Sequence, residues 1–166
     1  MAGAPTVLSH WYQLLEGFQD TTPQTFYAAV ETAVEGRQLP DTKRSRVTYA
    51  EGGMFSAKRE YLRVQRREHL FDICGAPFGN GFFVSWWLGE VPSGLLLIFG
   101  EIPILGALAR SFVRPGSYYL ADTAQMFQSA VHSAVLEVVD QMTAAKGVRA
   151  LSELDRKPVM RDLDRR

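Results

Sequence analysis

From Val91 to Val113 the chain reads VPSGLLLIFGEIPILGALARSFV, and this apolar stretch restricts the fold more than any other feature. A membrane-crossing helix needs roughly 20 apolar residues. The run from Gly94 to Ala109 is shorter, with Glu101 and Pro103 near its middle. An acidic residue at the centre of a lipid-exposed helix costs about 2.5–3.5 kcal/mol on insertion scales. Bases also stand on both sides of the stretch, at positions 43–67 and at Arg110 and Arg114. Positive flanks on both ends ask for the same side of the bilayer twice, which one crossing forbids. A simple span is therefore disfavoured. A buried core or interface segment and a monotopic or re-entrant membrane contact are the two uses left.

The 166 residues fit one domain, taken as 1–166, with the apolar segment at about 91–113 as its contact or insertion. An apolar content of 46% and a charged content of 22% match ordinary globular chains and exclude wholesale disorder. Formal net charge is zero, but its distribution is uneven. Residues 43–67 hold eight bases against two acids, a net of +6, whereas residues 1–42 hold five acids and one base. Cys74 is the only cysteine, so no intramolecular disulfide can form, and Met1 to Gln13 lacks the basic start of a secretory signal. The expected location is the cytoplasm, with peripheral contact at the inner face of a membrane as one use of the apolar segment.

Helical spacing of Leu8, Trp11, Tyr12, Leu15 and Phe18 predicts a first helix over 6–18. Thr22 and Pro23 then form a start signal for a second helix, about 23–35, with Phe26, Tyr27, Val30 and Val34 on one side. After a polar connection the period changes to two, giving strands around Val47–Tyr49, Arg59–Arg66, Leu70–Ala76 and Phe82–Leu88. Asn80-Gly81 between two apolar runs is a strong hairpin signal. Ser117–Leu120 reads as extended, and Asp122 with Gln125 as a capping box for a long helix, Thr123–Lys146, ended by Gly147. A short charged helix is expected near 152–157. Helices set apart from a run of strands predict an α+β fold: an antiparallel sheet of about four strands, two N-terminal helices and one long C-terminal helix packed on it.

No residue set identifies an enzyme. Cys74 and His69 are five apart in one strand, so their side chains point to opposite faces, and Cys74 reads as a small buried hydrophobe. His10, His69 and His132 lack metal-ligand spacing and read as surface residues, so no metal or other cofactor is expected. Glu51-Gly52-Gly53 and Gly79-Asn80-Gly81 are turns rather than phosphate loops. Glu90 and Glu101 flank the apolar stretch without a fixed geometry.

Two features remain. One is the apolar set Phe83, Trp86, Trp87, Leu96, Phe99, Ile102, Ile104 and Tyr118; the other is the basic set Lys43, Arg44, Arg59, Arg63, Arg66 and Arg67. Together they predict a non-catalytic binding or assembly module, acting at a membrane surface or within a larger complex. The expected partners are another protein or a second copy, or an anionic membrane surface; nucleic acid is disfavoured. The alternative is a carrier or enzyme for a small hydrophobic ligand, with an aromatic-lined cavity between sheet and long helix.

Overall fold

The computed structural model describes residues 6–50, 58–91 and 118–160, apart from the side chain of Leu120. The sequence expectations for Leu96, Phe99, Ile102 and Ile104, and for the 91–113 stretch beyond Val91, lie outside the described residues. The described chain runs β1 (Thr6–Glu16), α1 (Pro23–Gly36), β2 (Thr42–Ala50), β3 (Lys58–Arg66), β4 (His69–Phe78), β5 (Gly81–Glu90), α2 (Tyr118–Lys146) and β6 (Val159–Met160). The six strands form one antiparallel sheet in the order β2-β3-β4-β5-β1-β6. The α+β class and the antiparallel sheet agree with the sequence; among the described residues the number of strands and of helices differs.

The largest correction is at the N-terminus. Residues 6–16 form a strand, not a helix, and β1 pairs with β5 from Thr6↔Glu90 to Glu16↔Gly81. The error has a physical source. Trp11 and Leu15 are four apart, which is one helical turn and also two strand repeats, so the pattern satisfies both periods. In the sheet Ser9, Trp11 and Leu15 are buried on one face, while Tyr12 and Leu14 are exposed on the other.

Smaller corrections concern the C-terminal half. Helix α2 is described from Tyr118, so the expected Ser117–Leu120 extended segment is helical from Tyr118, and Asp122 lies within the helix rather than at its cap. Residues 152–157 make turns, not a helix: the Ser152 hydroxyl donates to Asp155 Oδ2 (2.6 Å) and accepts from the Asp155 amide (3.3 Å), and the chain then straightens through Pro158 into β6. Helix α1 matches expectation, with Thr22 as its cap accepting from the Thr25 amide.

Both helices pack on the same face of the sheet. The core joins Trp11, Leu15, Leu62, Val64, Phe71, Ile73, Phe82, Val84, Trp86 and Leu88 of the strands to α1 through Phe26, Tyr27, Val30 and Val34. Helix α2 contributes Phe127, Val131, Ala134, Val135, Val138 and Val139. Where β3 and β4 part company beyond Leu62↔Ile73, the hydroxyl of Tyr27 enters the seam. It accepts from the Gly75 amide (3.0 Å) and donates to the Glu60 carbonyl (2.7 Å), replacing ladder bonds the strands no longer make. Burial pushes this phenol up to about 12. A methyl group at Gly75 would meet Phe26 Cδ1 at 2.5 Å and Phe82 Cζ at 2.9 Å, so the aromatic packing over the seam requires glycine there.

A second polar device ties residues 151–156 to the core. The Trp86 indole N–H donates to His132 Nδ1 (3.0 Å), and His132 Nε2, necessarily the protonated nitrogen, donates to the Arg156 carbonyl (2.7 Å). Trp11 donates to the Asp155 carbonyl (2.6 Å), and Arg156 grips both oxygens of Asp140 on α2 at 2.6 and 3.0 Å. His132 and His69, expected at the surface, are both buried, the latter beside Phe127. Burial holds His132 below its ordinary 6.5, reinforced by the Arg156 charge and opposed by the Arg156 carbonyl.

Tyr27→Phe strands the Gly75 amide and the Glu60 carbonyl without partners and is expected to cost about 1–3 kcal/mol in urea unfolding; a loss indistinguishable from zero contradicts the seam role. For His132 the folded chain binds its proton less readily than the unfolded chain. Its contribution is therefore complete above about pH 6.5 and is lost as pH falls through the lower folded value. Urea midpoints measured from about pH 7 to about pH 5 should fall more steeply in the native chain than in His132→Gln; equal slopes refute the assignment.

The second face of the sheet as candidate functional site

Period-two alternation gives the sheet a second face, on which neither described helix lies. Register sets its rows. One row runs Ser45–Arg63–Asp72–Trp87–His10 across five strands, and a neighbouring one runs Cys74–Ser85–Tyr12 across three. Polar residues hold its middle and aromatic residues its β5–β1 side.

Arg63 and Asp72 form a two-pronged pair, Nε to Oδ1 at 2.7 Å and a terminal nitrogen to Oδ2 at 2.7 Å. Tyr49 donates to Asp72 Oδ2 (2.8 Å), and the Arg63 guanidinium donates to the same phenol oxygen. The planar fork of arginine matches a carboxylate edge to edge, and this geometry makes such pairs strong. The Asp72 side chain is 10% exposed and that of Arg63 19%, so both charges are largely withdrawn from water and depend on each other. Burial, then the adjacent carboxylate, pushes Tyr49 up to about 12, and the hydrogen bond to Asp72 raises Arg63 still further above its ordinary range. Tyr49 and Arg63 are thereby held in their protonated forms. They suit a structural clamp better than proton transfer.

Beside this clamp the thiol of Cys74 is fully buried. Burial raises it, against the charge of Arg59 and hydrogen bonding to Tyr61, Ser85 and Arg59. A thiol raised above its free value is a poor nucleophile. His69 is on the opposite face and cannot serve it as base. No group of three or more His, Cys, Asp or Glu able to hold a metal occurs among the described residues.

On the β5–β1 side, His10 stacks on Trp87 (centroids 4.7 Å, interplanar angle 17°) and Tyr12 lies over Phe83 at 6.3 Å. Trp87 is 43% exposed and Tyr12 61%. These side chains are anchored by their neighbours while keeping one side to solvent.

The residues singled out in the sequence thus separate. Lys43, Arg59, Arg63, Phe83 and Trp87 share this face by register and alternation. Trp86 belongs to the other face, within the core against Phe71 (4.6 Å) and His132 (5.3 Å), so one cavity cannot be lined by both tryptophans. Arg44 is also on the helical face, 3.7 Å from Glu35. Arg66 donates to the Pro40 carbonyl, and Arg67, in the β3–β4 turn, pairs with Asp41 at 3.6 Å. Tyr118 is 92% exposed at the start of α2 and lines nothing described. Sequence reasoning missed Asp72, Tyr49, Ser85 and His10. A carboxylate between Phe71 and Ile73 was a visible anomaly, but its partner emerges only once β3 and β4 are in register.

Breaking the clamp from one side leaves a nearly buried charge alone. Asp72→Leu and Arg63→Met are each expected to cost about 2–4 kcal/mol, discounted slightly from fully buried pairs. The double variant should cost less than the sum by about 1–3 kcal/mol in a thermodynamic cycle. Strict additivity would show that the pair contributes no coupling.

No family model matches this chain, and neither a curated protein nor a solved structure matches it.

Proposed function

We propose that this chain is a non-catalytic contact module of a larger protein assembly, with the sheet face opposite the two described helices as its contact surface. The observation that carries the reading is the solvent exposure of Trp87 (43%), held on that face by the stacked ring of His10. Anchored aromatics offer large apolar area at little entropic cost, and such residues dominate binding energy at protein interfaces. Lys43 and Arg59, towards β2, favour a partner with an apolar patch rimmed by acids on that side.

A protein partner is favoured over an anionic membrane because much of the basic cluster is already neutralised. Arg44, Arg63 and Arg67 have acidic partners within 3.7 Å, and Arg66 is bonded to a carbonyl. A basic residue near an anionic bilayer contributes about 1 kcal/mol when its charge is free, and three of the six bases singled out in the sequence are already paired with acids. No described helix is long and apolar enough to cross a membrane.

A photo-crosslinking phenylalanine analogue placed at Trp87 in the native cell tests the reading, with the same probe at exposed Met126 on α2 as control. The expected result is a discrete product at Trp87 only, heavier than the chain and different in mass from two copies. A product of two copies, or no discrete product, overturns the proposal. So does flotation of the purified chain on vesicles containing anionic lipid.

A further inference from the structure

The two long edges of the sheet are built differently. Edge strand β2 carries Lys43, Arg44 and Arg46 along its length, the kind of charged edge that discourages further strand pairing. At the other side β6 covers β1 only at Ser9↔Met160 and His10↔Val159. Pro158 precedes this pair and has no amide hydrogen, and the chain turns away over 152–157. From Trp11 to Glu16 the outer side of β1 has no strand beside it among the described residues.

Backbone alternation identifies the groups left over. The Gly17 amide donates to the Asn80 carbonyl at 2.9 Å, one step beyond Glu16↔Gly81. With period two, Leu15, Gln13 and Trp11 also direct their peptide groups at β5. Tyr12, Leu14 and Glu16 therefore direct theirs outward, and no described residue bonds to them there. An open cleft of about 830 Å³ borders this edge, lined by Gln13 to Phe18 on one side and Val148 to Ser152 on the other. The only charge between Tyr12 and Glu16 is Glu16 itself, and Tyr12 (61%) and Leu14 (42%) expose apolar surface.

We infer that this edge of β1 pairs with the same edge of a second copy of the chain, antiparallel, about a two-fold axis at Leu14. The register is self-complementary. Leu14 faces Leu14 of the second copy, and Tyr12 faces Glu16, so no like charges are opposed. Each of the three outward residues offers one donor and one acceptor, so the pair closes about six backbone hydrogen bonds. The exposed Tyr12 and Leu14 side chains of both copies meet on one side of the joined sheet. This pairing uses the β1 backbone and does not depend on what the Trp87 surface contacts.

Sedimentation velocity on the full chain over a concentration series tests the inference. The native chain is expected to sediment as a dimer. Leu14→Lys and Leu14→Glu each set like charges against each other at the axis and should weaken dimerisation at least about tenfold. An equimolar mixture of the two variants should regain the dimer, which a folding defect would not allow. Leu14→Cys should form a covalent dimer on oxidation, because directly opposed residues of a hydrogen-bonded pair lie about 5.5 Å apart at Cα, within disulfide reach. Tyr119→Cys, 70% exposed on α2, should not. A native chain that stays monomeric overturns the inference, as does a dimer that Leu14→Lys leaves intact or a mixture that fails to pair.

Discussion

The β1–β5 ladder is the contact on which the arrangement depends. It brings the first strand of the chain into the sheet beside the last strand of the hairpin run, from Thr6↔Glu90 to Glu16↔Gly81. Because strand side chains alternate, that single pairing sorts two sets of residues at once. Trp11 comes beside Trp86 and Leu15 beside Phe82 under the helices, while His10 comes beside Trp87 and Tyr12 beside Phe83 on the other side. A shift of one residue would exchange the two sets and place aromatic core residues in water.

Polar groups then fasten what the apolar core leaves loose. Tyr27 closes the seam where β3 and β4 diverge, and His132 with Trp86 and Trp11 holds residues 151–156 against the sheet. Ser9 adds a bond to Gln128 on α2 (2.7 Å) at the same end. Each is a buried donor or acceptor whose partner comes from a different element, and a buried polar group without a partner is costly. No buried side-chain nitrogen or oxygen among the described residues lacks a partner. Such networks favour one packing over many.

The same rule accounts for the polar groups on the sheet face opposite the two described helices, the face proposed above as a contact surface. Its charges at Arg63 and Asp72 are committed to each other, its tyrosine is held protonated, and its thiol is buried and raised. Among the described residues, aromatic area on this face and backbone along the outer edge of β1 are left open to another molecule.

The amino-acid sequence alone specified the local structure wherever one period or one stop signal dominated. Thr22-Pro23 opened α1, the alternation of Leu62 and Val64 marked β3, and Gly147 closed α2. It failed where one spacing serves two periods, as at Trp11 and Leu15, and it assigned His69 and His132 to the surface because their burial depends on residues far along the chain. The basic cluster at 43–67 was legible as composition but not as geometry. Adjacent residues such as Lys43 and Arg44 fall on opposite faces, and their acidic partners Glu35, Asp41 and Asp72 come from elsewhere. Composition counts charges, whereas register and packing decide which of them meet, and so only the tertiary structure determined which side chains face solvent together.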